Sequence, residues 1–63
     1  MTPAKEKSIE IEKLINASLE INKDLGNAIG NTARTELSMV QVKLKEAMFW
    51  NTYAGDIIDE EIK

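Results

Sequence analysis

A chain of 63 residues with 11 acidic and 8 basic side chains, a net charge of −3 and neither cysteine nor histidine excludes several classes of protein at once. Disulfide stapling, zinc sites of the cysteine/histidine type and nucleophilic catalysis by cysteine or histidine are closed to it. At this length folding buries only about 60% of the unfolded surface, so a core is marginal, and self-association is the remedy left.

Hydrophobic residues make up 43% of the chain and charged residues 30%, too apolar a balance for disorder. The negative sum argues against a coat for a nucleic-acid polymer, which prefers a basic surface, but leaves room for a small anion in a local basic pocket. No apolar stretch approaches the roughly 20 residues of a membrane span. No apolar core follows Thr2–Lys7, so no secretory signal is expected. The lack of cysteine is compatible with a reducing cytoplasm.

The first helix is expected over about residues 3–25. Thr2 can cap it, and Pro3 fits the first helical position, where its missing N–H costs nothing. Ile11, Leu14, Ser18, Ile21 and Leu25 recur at three-four spacing, and Ile9, Ile15 and Leu19 widen the stripe. That is more apolar surface than one partner helix needs. The opposite face, with Lys5, Glu6, Glu10, Glu12, Lys13, Glu20 and Lys23, reads as solvated.

Gly26-Asn27 reads as the stop of this helix, since glycine is the preferred left-handed cap. The turn then runs over about 26–32, with Ile29 folding back over the hairpin end and Asn31 or Thr32 capping a second helix. That helix is expected over about 33–54, with a possible continuation to 62. Leu37, Val40, Leu44, Ala47, Asn51, Ala54 and Ile58 form one stripe, and Met39, Val42, Phe49 and Tyr53 a second. Gly55 is its weak point, because glycine inside a helix costs about 1 kcal/mol against alanine.

Two segments of nearly equal length, each about 33–35 Å long at 1.5 Å per residue, joined by a Gly/Asn turn, define the expected fold: one all-α domain spanning 1–63, an antiparallel two-helix hairpin. Two helices cannot cover two stripes each. The hairpin is therefore expected to assemble into a symmetric homo-oligomer or to engage another protein.

The candidate ligand-binding residues are Arg34, Thr35, Lys43, Trp50 and Tyr53. Arg34, the only arginine, stands near the start of the second helix, where a guanidinium adds to exposed N–H groups and the positive end of the helix dipole. Thr35 adds a hydroxyl donor, and Lys43 lies two turns further on. Each also reads as an ordinary surface residue. Trp50 and Tyr53 are three apart on one face, suited to stacking on a base or to anchoring a subunit interface. Asn51 falls in the apolar stripe, as a register-fixing amide or a hydrogen-bonding partner for a base edge. Asp56, Asp59, Glu60 and Glu61 lack calcium-loop spacing and read as a solvated acidic tail. Gly26 and Gly30 do not form a phosphate loop, and no serine has an imidazole to activate it. No enzymatic activity, metal or cofactor is expected.

The segment Thr35–Trp50 resembles the signature helix of the small helical-hairpin family with which phages sequester cyclic-nucleotide immune signals, in anti-CBASS and anti-Thoeris defence. Members carry a segment of the form Arg-Glu-x-Ser-Leu-Ala-x-Thr-Lys-Leu-x-Glu-Ala-x-Met-Trp. Glu36, Ser38, Lys43, Leu44, Glu46, Ala47 and Trp50 match it in register, Leu37 falls on an open position, and Met39 is a conservative fit. Thr35 stands where the family has arginine, with Arg34 one place earlier; Val42 replaces a threonine. The match covers about a quarter of the chain. The resemblance implies a symmetric oligomer, a hexamer above all, whose interfaces hold cyclic di- or trinucleotides without cleaving them, in the cytoplasm of an infected bacterial host. Arg34, Thr35 and Lys43 would then meet phosphate, and Trp50 and Tyr53 the bases. A coiled-coil-like adaptor that binds a protein partner through the same stripes accounts for the same periodicity.

Overall fold

The computed structural model describes residues 2–62. The chain folds as two α-helices, α1 (Pro3–Ile29) and α2 (Arg34–Ile62), joined by a turn over residues 30–33. The helices run antiparallel: Lys5 meets Asp59, Ser8 meets Asn51, Leu19 meets Gln41 and Asn22 meets Leu37. The result is a thin rod, 48 × 15 × 8 Å.

Thr2 and Pro3 start α1 as their chemistry dictates. Thr2 is extended and its Oγ1 accepts from the Lys5 N–H at 3.2 Å, with proline opening the helix. Gly26-Asn27 does not end α1, contrary to the sequence reading; the helix runs on to Ile29. Continuing for one turn brings Ile29 into the contact between the helices, half-buried. The stop comes at Gly30, whose φ of 64° and ψ of −123° suit glycine and whose N–H returns to the Gly26 carbonyl at 3.1 Å. Neither Asn31 nor Thr32 caps α2. The residue before it is Ala33, held at a positive φ of 56°, a conformation that costs a residue with a Cβ roughly 1–2 kcal/mol. α2 passes through Gly55 unbroken.

The two helices meet along a heptad seam. On α1 it runs through Lys5, Ser8, Ile15, Leu19, Asn22, Gly26 and Ile29; on α2 through Leu37, Gln41, Leu44, Met48, Asn51, Gly55 and Ile58. The widening residues Ile15 and Leu19 thus form the contact, and the main α1 stripe stays outside it. Three side-chain amides cross the seam to backbone carbonyls of the facing helix. Asn22 Nδ2 donates to Leu37 O at 3.1 Å, Gln41 Nε2 to Leu19 O at 3.2 Å and Asn51 Nδ2 to Ser8 O at 3.0 Å. Asn51 is therefore a register residue, tied to α1.

The seam mixes large apolar residues with three small ones, Ser8, Gly26 and Gly55, and the helices come closest at Gly55. A Cβ on Gly55 would stand 2.9 Å from Ser8 Oγ, whereas one on Gly26 would meet only Leu37 Cδ1 at an ordinary 4.0 Å. Gly26→Ala is accordingly expected to stabilise the chain by about 1 kcal/mol, the helix-propensity difference. Gly55→Ala should gain less, because the Ser8 hydroxyl has to turn away. Adding Ser8→Ala to Gly55→Ala should restore most of the gain, because only the flexible end of Lys5, 3.2 Å from the added Cβ, then has to shift; thermal melts of the variants check the order.

Among the described residues no apolar side chain is buried. Asn22, 8% exposed, is the one buried polar side chain, and Gly55 is buried beside Ser8. The Lys5–Asp59 ion pair, 3.2 Å long and partly exposed, clips the open end and contributes at most about 1 kcal/mol.

The heptad phase sorts the remaining residues into two flanks, since in an antiparallel pair equivalent flanking positions face each other. One flank carries Ile11, Leu14, Ser18, Ile21, Leu25 and Ala28 from α1 beside Val40, Lys43, Ala47, Trp50, Ala54 and Ile57 from α2. The other carries Ile9, Asn16 and Lys23 beside Ser38, Lys45, Thr52 and Asp59. One flank is apolar over most of its length and the other polar beyond Ile9. Neither helix has an 18-residue window apolar enough to cross a membrane.

Candidate functional site

The polar flank is hollowed at the turn end. A shallow groove of about 480 Å³ lies there, lined by Asn22, Lys23, Asn27, Asn31, Arg34, Leu37, Ser38 and Gln41. Its position follows from the local sequence. Gly26 and Gly30 carry no side chains to fill it, and the turn folds Arg34 back over the last turn of α1. The Arg34 Nη1 donates to Asn31 Oδ1 at 3.4 Å, and the Arg34 N–H to the Asn31 carbonyl at 3.3 Å.

Among the described residues neither Arg34 nor Lys23 is paired with a carboxylate. The Thr35 and Glu36 N–H groups in the first turn of α2 likewise take no acceptor, as expected of helix starts. Two cations, unused donors and the positive helix end make this the electropositive part of an acidic molecule, a setting suited to an anion. Glu36, in the same turn, complements the dipole when no anion is present.

Of the five residues singled out in the sequence, Arg34 alone lines the groove. Thr35 is exposed beside it on the outer surface of α2. Lys43 is two turns further along, its Nζ 3.8 Å from Glu46 in an exposed i,i+3 pair. Trp50 and Tyr53 lie together but far from the turn. Their rings meet edge to face at 6.2 Å between centroids, and Phe49 packs edge-on to Trp50 at 5.4 Å. All three rings are more than half exposed. Sixteen residues separate Arg34 from Trp50, about 24 Å along the helix. One protomer therefore does not bring its arginine and its aromatic cluster together.

Lys23 and Asn31 also line the groove, although the charge pattern alone places Lys23 on the solvated face of α1 and Asn31 at a helix cap. The signal that finds Lys23 is the phase of the seam: once Asn22 is a contact residue, Lys23 falls on the edge that faces Ser38.

Among the described residues no three acidic side chains come together to hold a metal ion, and Asp59, from the acidic tail, is engaged with Lys5. Comparison of the chain with protein-family models, curated proteins and solved structures found no match.

Proposed function

We propose that this chain is a sponge for cyclic oligonucleotide signals. In this reading it acts in the cytoplasm of a phage-infected bacterium as a symmetric homo-oligomer, a hexamer, and holds cyclic di- or trinucleotides without cleaving them. The observation that carries the reading is the in-register match of Thr35–Trp50 to the signature helix of the phage hairpin family. The geometry supports it in two ways. Arg34, at the start of that segment, has no carboxylate partner among the described residues and lines a groove that Lys23 also lines. Trp50 and Tyr53, near its end, stand open to a partner or a base.

A sponge needs no chemistry. It works by mass action, lowering the free messenger below the threshold of its receptor. Phosphates would meet Arg34, Lys43, the Thr35 hydroxyl and the N–H groups of the first turn, each charge-assisted bond contributing about 1.5–3 kcal/mol. Bases would stack on Trp50 and Tyr53. Because these two groups lie about 24 Å apart on one chain, a ligand that touches both does so between protomers.

Calorimetric titration with a panel of cyclic di- and trinucleotides tests the reading. Binding of at least one is expected, and Arg34→Ala should weaken it about tenfold to a hundredfold with the sedimenting mass unchanged. An absence of heat with every member of the panel would overturn the reading. The apolar flank favours the second reading, a coiled-coil-like adaptor for a protein partner. That reading predicts no thermal stabilisation by any cyclic nucleotide, whereas a ligand of the folded state raises its melting temperature.

A further inference from the structure

The α1 stripe left outside the seam is symmetric about one residue. Ile11 and Leu25 stand seven residues either side of Ser18, and Leu14 and Ile21 stand four and three residues either side. All four apolar residues are about half to two-thirds exposed, and no charge interrupts the stripe. A small side chain at the centre with large ones on both arms is the form a helix takes where it crosses another closely.

We propose that two copies of this chain pack α1 against α1, antiparallel, across a two-fold axis at Ser18. The inference deepens the oligomeric part of the proposed function by naming the surface and its occupant. The axis sets Leu14 near the partner copy's Ile21 and Ile11 near the partner copy's Leu25. Ser18 lies on Ser18 at the crossing. A second copy is the occupant because the stripe is complementary to itself, the requirement of a two-fold interface.

The exposed area agrees. A compact protein of 7.1 kDa exposes about 4,100 Å², whereas this hairpin exposes 4950 Å². The excess, roughly 850 Å², matches the share of about 800 Å² that one partner gives to a standard interface. The polar groove lies on the other flank and stays open in such a pair.

The chain has no cysteine, so single-cysteine variants read the geometry without background. Helix axes about 8–10 Å apart, with Cα atoms on a radius of about 2.3 Å, bring facing Cα atoms within reach of a disulfide. Under mild oxidation Ser18→Cys is expected to form a covalent dimer at least tenfold faster than Ser38→Cys, on the opposite flank. An equimolar mixture of Ile11→Cys and Leu25→Cys should yield mainly the mixed dimer. Two copies of residue 11 would lie about 21 Å apart across the axis, so Ile11→Cys alone should give little. Circular dichroism confirms that each variant is helical. Equal rates for Ser18→Cys and Ser38→Cys, or no preference for the mixed dimer, would overturn the proposal. Cross-linking at Ser18 without binding of any cyclic nucleotide would uphold this interface and reject the sponge reading.

Discussion

Replacing Leu14 and Ile21 together by glutamate is expected to unfold the chain at concentrations where the natural sequence is helical. In the hairpin the two side chains are 67% and 66% exposed. A self-sufficient protein would tolerate such surface changes to within about 0.5 kcal/mol each. If instead the two side chains are covered by a second copy, each substitution sets a carboxylate in an apolar contact, at a cost of several kcal/mol or the loss of the contact altogether. Nothing within the hairpin compensates, because none of its described apolar side chains is buried, and a chain this small has a core worth only a few kcal/mol at best. Far-UV circular dichroism and sedimentation of the double variant check this. Helicity and mass equal to those of the natural chain would show that the outer stripe is dispensable.

The opposite change inside the seam is expected to have an effect of similar size and opposite sign. Asn22→Leu with Asn51→Leu removes two of the three amides that cross between the helices and places apolar groups where the helices meet. The facing carbonyls, Leu37 O and Ser8 O, keep their own helical hydrogen bonds, so no buried acceptor is orphaned. Burial of a leucine contributes about 1.5–3 kcal/mol, so the double variant should melt well above the natural chain. What it should lose is register. Amides at core positions specify one alignment at some cost in stability, and with both gone Gln41 and the partly exposed Lys5–Asp59 ion pair are the polar contacts left among the described residues to fix the stagger. Broadened or doubled amide resonances in a more stable protein are the expected signature; a single sharp set of peaks would show that the amides do not set the register.

The element types and the antiparallel hairpin were legible in the sequence. Thr2-Pro3 reads as a helix start, and three-four spacing shows through both segments. The phase of the packing was not legible, for a physical reason. Hydrophobic periodicity marks the greasiest face, and here the greasiest face of α1 is not the one that meets α2. The seam is set by close approach of Gly55 to Ser8 and by amides that need a backbone carbonyl within reach. Asn22 and Gln41 carry no apolar signal and drop out of any stripe. The same effect displaced the end of α1. Gly26 looks like a stop but sits on the contact side, where a missing side chain is tolerated, and Gly30 takes the positive φ.

The candidate site divides along the same line. Arg34 was legible because its environment is local: a lone arginine at a helix start. Lys23 was not, because its neighbourhood depends on which edge of α1 turns towards Ser38. The remaining candidates, Thr35, Lys43, Trp50 and Tyr53, share one helix with Arg34 but not one place. Helical spacing says which residues share a face, and only assembly says which of them share a ligand. The exposed edge-to-face cluster of Phe49, Trp50 and Tyr53 is the broad, rigid kind of surface that interfaces favour, so in the proposed reading assembly and ligand capture would draw on the same side chains.

The account rests on a hairpin in which no described apolar side chain is fully buried and which, as proposed, takes its stability from contact with other copies. Following helicity and sedimenting mass together, on dilution from high micromolar to nanomolar protein, tests this most directly. Folding linked to association makes both quantities depend on concentration, so the account predicts that helix content falls in step with the loss of the oligomer. A fully helical species of 7.1 kDa persisting at nanomolar concentration would contradict it.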